Sequence, residues 1–235
     1  LGLLRRRPGV RMLRIDAAAP APESPGGGIA GLLVAIARGR ADGTVPDHVS
    51  ERQLAQILRV GRGTVLAALT QLAELGVIVR NRGHGWRFVA ELSSAAERAA
   101  SYRFRLLIEP AALLEPGFAL PPEFAARTRR EHEAFLGRPW HDDDAVGFFR
   151  VNAAFHEGLA EASGNRYLAA AVAQQNRLRA LSNYSWRLGP ERVGVSVREH
   201  LAILGAVVAG DRERAALLMR LHLLDAMGLK VVKNG

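Results

Sequence analysis

Apolar positions along the chain recur first at helical spacing, then in two short blocks, then at helical spacing again. Ile29, Leu32, Leu33 and Ile36 recur at three and four, which predicts an amphipathic helix ended by Gly39. Ser50, with Gln53 three residues on, has the form of a capping box. The helix it opens has Leu54, Ile57 and Leu58 on its apolar side. After a short turn at Val60-Gly61, Val65, Leu66, Leu69, Leu72 and Leu75 predict a third helix, closed by Gly76. Val77-Ile78-Val79 and Trp86-Arg87-Phe88-Val89 read as the strands of a hairpin around Arg82-Gly83-His84-Gly85. From Ser94 onward the strand pattern disappears. Six helical segments are predicted, over roughly 95–116, 123–136, 142–162, 165–185, 191–209 and 211–229. Pro121-Pro122, Gly137-Arg138-Pro139, Gly164-Asn165, Gly189-Pro190 and Gly210-Asp211 separate them. The expected fold class is mostly α, with an N-terminal winged helix-turn-helix and a C-terminal all-α helical bundle. The expected domains are a flexible arm at 1–28, the winged unit at 29–92 and the helical domain at 93–235.

Composition adds exclusions. In 235 residues, hydrophobic types make up 49% and charged types 23%, as in ordinary globular chains. There is no cysteine, so disulfides, thiolate metal sites and cysteine nucleophiles are excluded, and any metal must be held by His, Asp, Glu or Asn. The longest nonpolar run, Leu201 to Gly210, is too short to span a bilayer, which takes ~20 residues. Arg5, Arg6, Arg7, Arg11 and Arg14 precede an Ala/Pro-rich stretch rather than an apolar one, unlike a secretory signal. A cytoplasmic protein with no membrane association is expected. The net charge of +9 favours a polyanionic partner, although the arm arginines supply much of the excess before Ser94.

A helix pair followed by a hairpin suits double-stranded DNA, with the second helix sized for the major groove and the hairpin free to add backbone contacts. Arg62 opens that second helix and can pair bidentately with guanine or phosphate, while Thr64 can reach phosphate. Arg52, Arg80, Arg82 and His84 flank it. The residues Val49 to Ala55, Val60-Gly61-Arg62-Gly63-Thr64-Val65-Leu66-Ala67-Ala68-Leu69, Leu75-Gly76-Val77-Ile78 and Arg82 to Val89 resemble the GntR family of bacterial transcriptional regulators. Relative to the usual pattern of that family, Gly61 stands where Ser is common and Leu66 where a second Arg is common. The resemblance implies a homodimer on a pseudo-palindromic operator, with a weakened phosphate grip.

Of seven histidines, His48, His84, His132 and His141 lie in polar or loop-like surroundings, and His156, His200 and His222 share helix faces with apolar residues. Asn152 lies one turn before His156. Inward histidines from three helices can converge on a metal, or each can bond locally in the core. The stretches Arg105-Leu106-Leu107-Ile108-Glu109-Pro110, Asn152-Ala153-Ala154-Phe155-His156, Ser196 to Ile203, and His222 resemble the FCD ligand-binding domain of FadR-type GntR regulators. That resemblance implies a divalent metal, Zn or Ni first, held by Asn152, His156, His200 and His222, with Asn152 standing where Asp is usual. It also implies a small carboxylate effector, for which Arg105, Arg150, Arg179 and Tyr184 are the candidate contacts. No enzyme activity is expected. Two other readings stay open at this point. One is a metal-dependent hydrolase on the bundle, against which Glu157 and Glu199 should face away from their neighbouring histidines. The other is a metal-free, ligand-responsive regulator.

Overall fold

The computed structural model describes residues 28–232, apart from 90, 91, 93 and 186–188, with side chains to residue 228. The arm expected at 1–28 lies outside the described residues except for Gly28. Among the described residues the order is α1 (Gly28–Ala41), β1 (His48–Val49), α2 (Glu51–Leu58), α3 (Arg62–Glu74), β2 (Ile78–Arg80) and β3 (Trp86–Phe88). Then follow α4 (Ala95–Leu114), α5 (Pro122–Glu133), α6 (Asp144–Ala162), α7 (Arg166–Tyr184), α8 (Gly189–Val208) and α9 (Arg212–Val232).

Local sequence sets most of these boundaries. At α2 the Ser50 hydroxyl accepts from the Gln53 N–H, while the Gln53 side chain accepts from the Ser50 N–H. The same reciprocal pair, Ser94 with Glu97, opens α4. Asn165 caps α7 by accepting from the Tyr167 and Leu168 amides. Gly39 does not end α1, contrary to the expectation; the helix continues to Ala41. Its glycine is there for a close approach, since a Cβ would stand 2.6 Å from Cγ2 of Val45. The hairpin also gains a strand. The sheet order is β1-β3-β2, all antiparallel, with His48 opposite Arg87 and Ile78 opposite Phe88. β1 has only two residues, too few for an alternation to register in the sequence. Gly85, at φ +84°, lets the wing press against β1, because a Cβ there would meet the Val49 carbonyl at 2.8 Å.

Two cores organise the chain, and α6 runs through both. In the first, Leu33, Ile36, Leu54, Leu69 and Trp86 of the winged unit bury against Val146, Phe149, Ala180, Leu181 and Tyr184 of α6 and α7. An Arg38–Asp142 ion pair at 2.7 Å spans the same junction. In the second, Tyr102, Leu113, Phe155, Leu159, Ile203, Leu204, Met219 and Leu223 fill the bundle. Gly158 brings Phe124 of α5 against α6, where a Cβ would overlap the ring at 2.1 Å. Among the described residues no helix is long and apolar enough to cross a membrane.

Candidate ligand site and nucleic-acid interface

Arg52, Arg62, Thr64, Arg80, Arg82 and His84 are all exposed, on the two helices and the wing. α2 closes on Arg59, whose left-handed φ of 55° makes the sharp turn that redirects the chain into α3. Arg62 is the first residue of α3, and the N-cap, Gly61, supplies no side-chain bond to the first-turn amides. Those amides and Arg62 thus face outward together. Arg80 is partly committed: its guanidinium lies over the Trp86 ring at 4.4 Å and 3.6 Å from Glu51. Trp86 Nε1–H donates to the same Glu51 carboxylate at 3.3 Å, which ties the wing to α2. Arg87 on β3 is exposed as well and was not among the expected contacts.

In the bundle, His156 of α6, His200 of α8 and His222 of α9 converge, each offering one ring nitrogen within 4.8 Å of the others. Their second nitrogens fix the tautomers. His132 Nδ1 lies 2.8 Å from the Thr128 carbonyl, which can only accept, so that nitrogen carries the proton. Its Nε2 must therefore accept, and His200 Nδ1, 2.9 Å away, donates to it. His222 Nδ1 donates to Glu199 Oε2 at 2.7 Å, and His156 Nδ1 donates to Glu109 Oε2 at 2.6 Å. All three inner histidines are thereby protonated on Nδ1 and bare on Nε2. The bare nitrogens of His200 and His222 face each other at 3.1 Å with no proton between them. His156 Nε2 is buried without a hydrogen-bond partner.

Electrostatics agree. Burial is the main cause that lowers the pKa of His132, His156, His200 and His222 below the usual histidine value, so all four are neutral at pH 7. Burial works against the Glu109 carboxylate, but Arg105 and His156 outweigh it and hold Glu109 below the ordinary range. Glu199 is lowered likewise, by His222 and Arg192 against its own burial. Carboxylates are common outer partners of metal-bound histidine, and His156 and His222 each have one. Ligands held at roughly 2.0–2.1 Å from one ion lie about 2.9–3.4 Å apart; the His200–His222 pair at 3.1 Å matches that spacing, and the His156 nitrogen lies within 4.8 Å of both.

Of the other expected residues, Asn152, Arg105 and Arg179 lie near the histidines and Arg150 and Tyr184 do not. Asn152 is buried beside the cluster, its Oδ1 3.5 Å from the Arg179 guanidinium. Arg179 is buried; among the described residues its hydrogen bonds go to amide oxygens, Asn176 Oδ1 at 3.4 Å being the other, its guanidinium lies 5.8 Å from the Tyr102 ring centre, and its Nε has no hydrogen-bond partner. Burial first, then Arg105, pulls Arg179 down to about 10, so it remains cationic at neutral pH. Arg105 pairs through Nε with Glu109 one turn along α4, while its Nη2 is buried without a hydrogen-bond partner. Arg150 is exposed. Tyr184 is fully buried in the first core, edge-on to Phe149, and burial pushes its hydroxyl up to about 12. Phe149 precedes His156 by two turns, about 10 Å of helix, so Arg150 and Tyr184 are not gathered at the histidines as expected.

His132 corrects the sequence reading most sharply. Surrounded by Arg129, Arg130, Glu131 and Glu133 it reads as a solvated residue, yet it is fully buried, one turn after Thr128. Glu199 does face away from His200, its neighbour, but it meets His222 from the next helix. The usable signal was Thr128 and His132 at i, i+4, the two residues other than Arg and Glu in the charged second half of the helix, 127–133.

A winged helix-turn-helix joined to an all-α domain with a buried histidine cluster is the architecture of a DNA-binding transcriptional regulator with a separate helical domain. Residues 43–88 match the family of bacterial regulatory proteins called the gntR family, and residues 100–225 match the FCD domain. The chain belongs to the GntR family, in the form that carries a C-terminal FCD domain. A curated relative, described as an uncharacterized HTH-type transcriptional regulator in an unstable DNA locus of Streptomyces ambofaciens, is 32% identical over 74% of this chain and 72% of its own length. Among solved structures, Lar of Listeria monocytogenes, described as controlling the expression of the agr system, has a TM-score of 0.57 at 16% identity. It covers 88% of this chain and 97% of its own. McbR/YncC of E. coli also has a TM-score of 0.57, at 13% identity, over 88% of this chain and 98% of its own. These two likenesses bear on fold.

Proposed function

We propose that this regulator binds a pseudo-palindromic operator in the cytoplasm as a homodimer, and that a small carboxylate effector bound in the helical domain modulates that binding. The observation that carries the ligand site is the convergence of three bare Nε2 atoms, two of them lone pair to lone pair. Such an arrangement is unfavourable until a cation joins it. His156, His200 and His222 would hold a divalent metal, Zn or Ni first, with the amide oxygen of Asn152 as a neutral fourth donor. When bound, the metal supplies a Lewis-acid centre for a carboxylate oxygen. Beside it, Arg179 is a buried cation without a carboxylate partner among the described residues. An anionic ligand would neutralise it.

On the DNA side, Arg62, Thr64 and the open first turn of α3 enter the major groove, with Arg52 beside them. Arg80, Arg82 and His84 contact the backbone from the wing.

Metal analysis of protein purified without a nickel column tests the site. One equivalent of Zn, Ni or a similar ion per chain, lost in a His156→Ala/His222→Ala variant that keeps its helical content, is the expected result. Metal-free protein that still responds to its effector would favour histidines that simply bond the ligand.

A further inference from the structure

We propose that Glu51 is a positioning residue for operator recognition: its carboxylate, which accepts from Trp86 and faces Arg80, sets the angle between the wing and the two helices of the DNA-reading unit. This rests on the reading above, in which α3 enters the major groove and the wing meets the backbone.

A carboxylate in a unit that meets phosphates needs a reason, because phosphates repel it. One reason is local: an acid in the first turn favours a helix through its dipole, and Glu51 is the first residue of α2. A side chain standing in water meets that need. The Glu51 side chain is instead only 25% exposed and turned onto the wing. Trp86 is buried, and a buried indole N–H needs an acceptor; the Glu51 carboxylate supplies it at 3.3 Å. The Arg80 guanidinium lies 3.6 Å from the same carboxylate.

The register of the sheet brings the three side chains together. Trp86 pairs with Val49 on β1 and with Arg80 on β2. Ser50 and Glu51 follow Val49 directly, so α2 starts where the strand beside Trp86 ends. Directly opposed residues have Cβ atoms ~5 Å apart, and the Arg80 guanidinium lies 4.4 Å from the Trp86 ring centre. One carboxylate therefore joins α2, β3 and β2. The ladder by itself holds the wing weakly, with two residues in β1 and three in each of β2 and β3. α2 shares its core with α3 through Leu54, Leu58, Val65 and Leu69, so a wing fixed to α2 is fixed to the helix that reads the groove. Arg80 gains as well. Stacked on Trp86 and drawn toward Glu51, its side chain is still 64% exposed, so a guanidinium already held in place keeps N–H donors for a phosphate.

The test uses the full chain, a duplex that it selects from a random pool, and an unrelated duplex of equal length, read by fluorescence anisotropy at fixed salt. By charge alone, Glu51→Ala should tighten both duplexes. The expected result is the opposite for the selected one: roughly tenfold weaker binding, from the loss of one charge-assisted bond, with the unrelated duplex bound as well as before or better. Glu51→Asp keeps the charge and the dipole contribution but withdraws the carboxylate by one C–C bond, and should lose as much as Glu51→Ala. Glu51→Gln, whose amide oxygen still accepts from the indole, should recover most of the specific affinity. Trp86→Phe keeps a ring under Arg80 and removes the N–H. Combined with Glu51→Ala it should cost no more than the weaker single variant, because both changes remove the same bond. A selected-to-unrelated ratio left unchanged by Glu51→Ala and Glu51→Asp overturns the proposal and leaves Glu51 a charge at a helix start. Losses that multiply in the double variant overturn it too. If Glu51→Ala loses helical content by circular dichroism, Glu51→Asp decides alone. Arg62→Ala separates the two readings: weakened binding there beside an unchanged Glu51→Asp sinks only the positioning role, and unchanged binding there sinks the reading of α3 beneath it.

Discussion

At the scale of single residues, proton placement is what prepares the bundle site. Thr128, Glu109 and Glu199 each take an Nδ1 proton, directly or through His132, and so turn three Nε2 lone pairs inward. His132→Phe keeps an aromatic ring, somewhat larger than the imidazole, but leaves His200 Nδ1 without its acceptor. It should lower metal affinity by roughly 10–100-fold, read by competition against a chromophoric chelator. Asn152→Asp should act in two opposite directions. A carboxylate there adds a charged donor beside the histidines and neutralises Arg179, so metal should bind tighter while a carboxylate effector binds more weakly; calorimetry with each ligand separates the two. Acid is the third test. The folded-state pKa values of all four histidines are depressed, so the unfolded chain binds more protons below about pH 6.5. Stability of the metal-free protein should be full above that pH and fall as pH drops, by up to about 1.4 kcal/mol per histidine per pH unit. Glu109 and Glu199, depressed as carboxylates, extend the loss at lower pH. A melting temperature that stays flat from pH 7 to 5 would contradict this.

At the scale of elements, legibility followed the strength of local signals. The helices of the bundle were readable because each is long and apolar on one side, and Ser50 with Gln53 announced α2 correctly. β1 was not readable, since two residues show no alternation and its pairing is supplied by β3 from far along the chain. Gly39 misled because the same residue type serves helix ends and close approaches. The inner histidines were legible as apolar-face residues, but their acceptors come from other helices: Glu109 on α4 for His156, Glu199 on α8 for His222. His132 failed for the same reason, hidden in a charged helix whose buried side is set by contact with α8. For α3 the prediction is direct. Arg62→Ala should weaken specific operator binding by about 1–3 kcal/mol in a gel shift at fixed salt. Arg82→Ala, at the wing tip, should weaken specific and unrelated sequences about equally.

At the scale of the whole molecule, the proposed ligand site and the winged unit do not meet, yet they share a beam. α6 carries Asn152 and His156 of the proposed site and, two turns earlier, Val146 and Phe149 in the core of the winged unit. α7 does the same with Arg179 on one side and Ala180, Leu181 and Tyr184 on the other. A close-packed core transmits such shifts rather than absorbing them. That joint carries an obligation in both directions. If an effector changes operator affinity by some factor, the operator must change effector affinity by the same factor. The genome therefore acts as a ligand of the sensor: protein already seated on its operator should read a different effector concentration from protein free in solution, and titrating effector with and without operator DNA measures the difference.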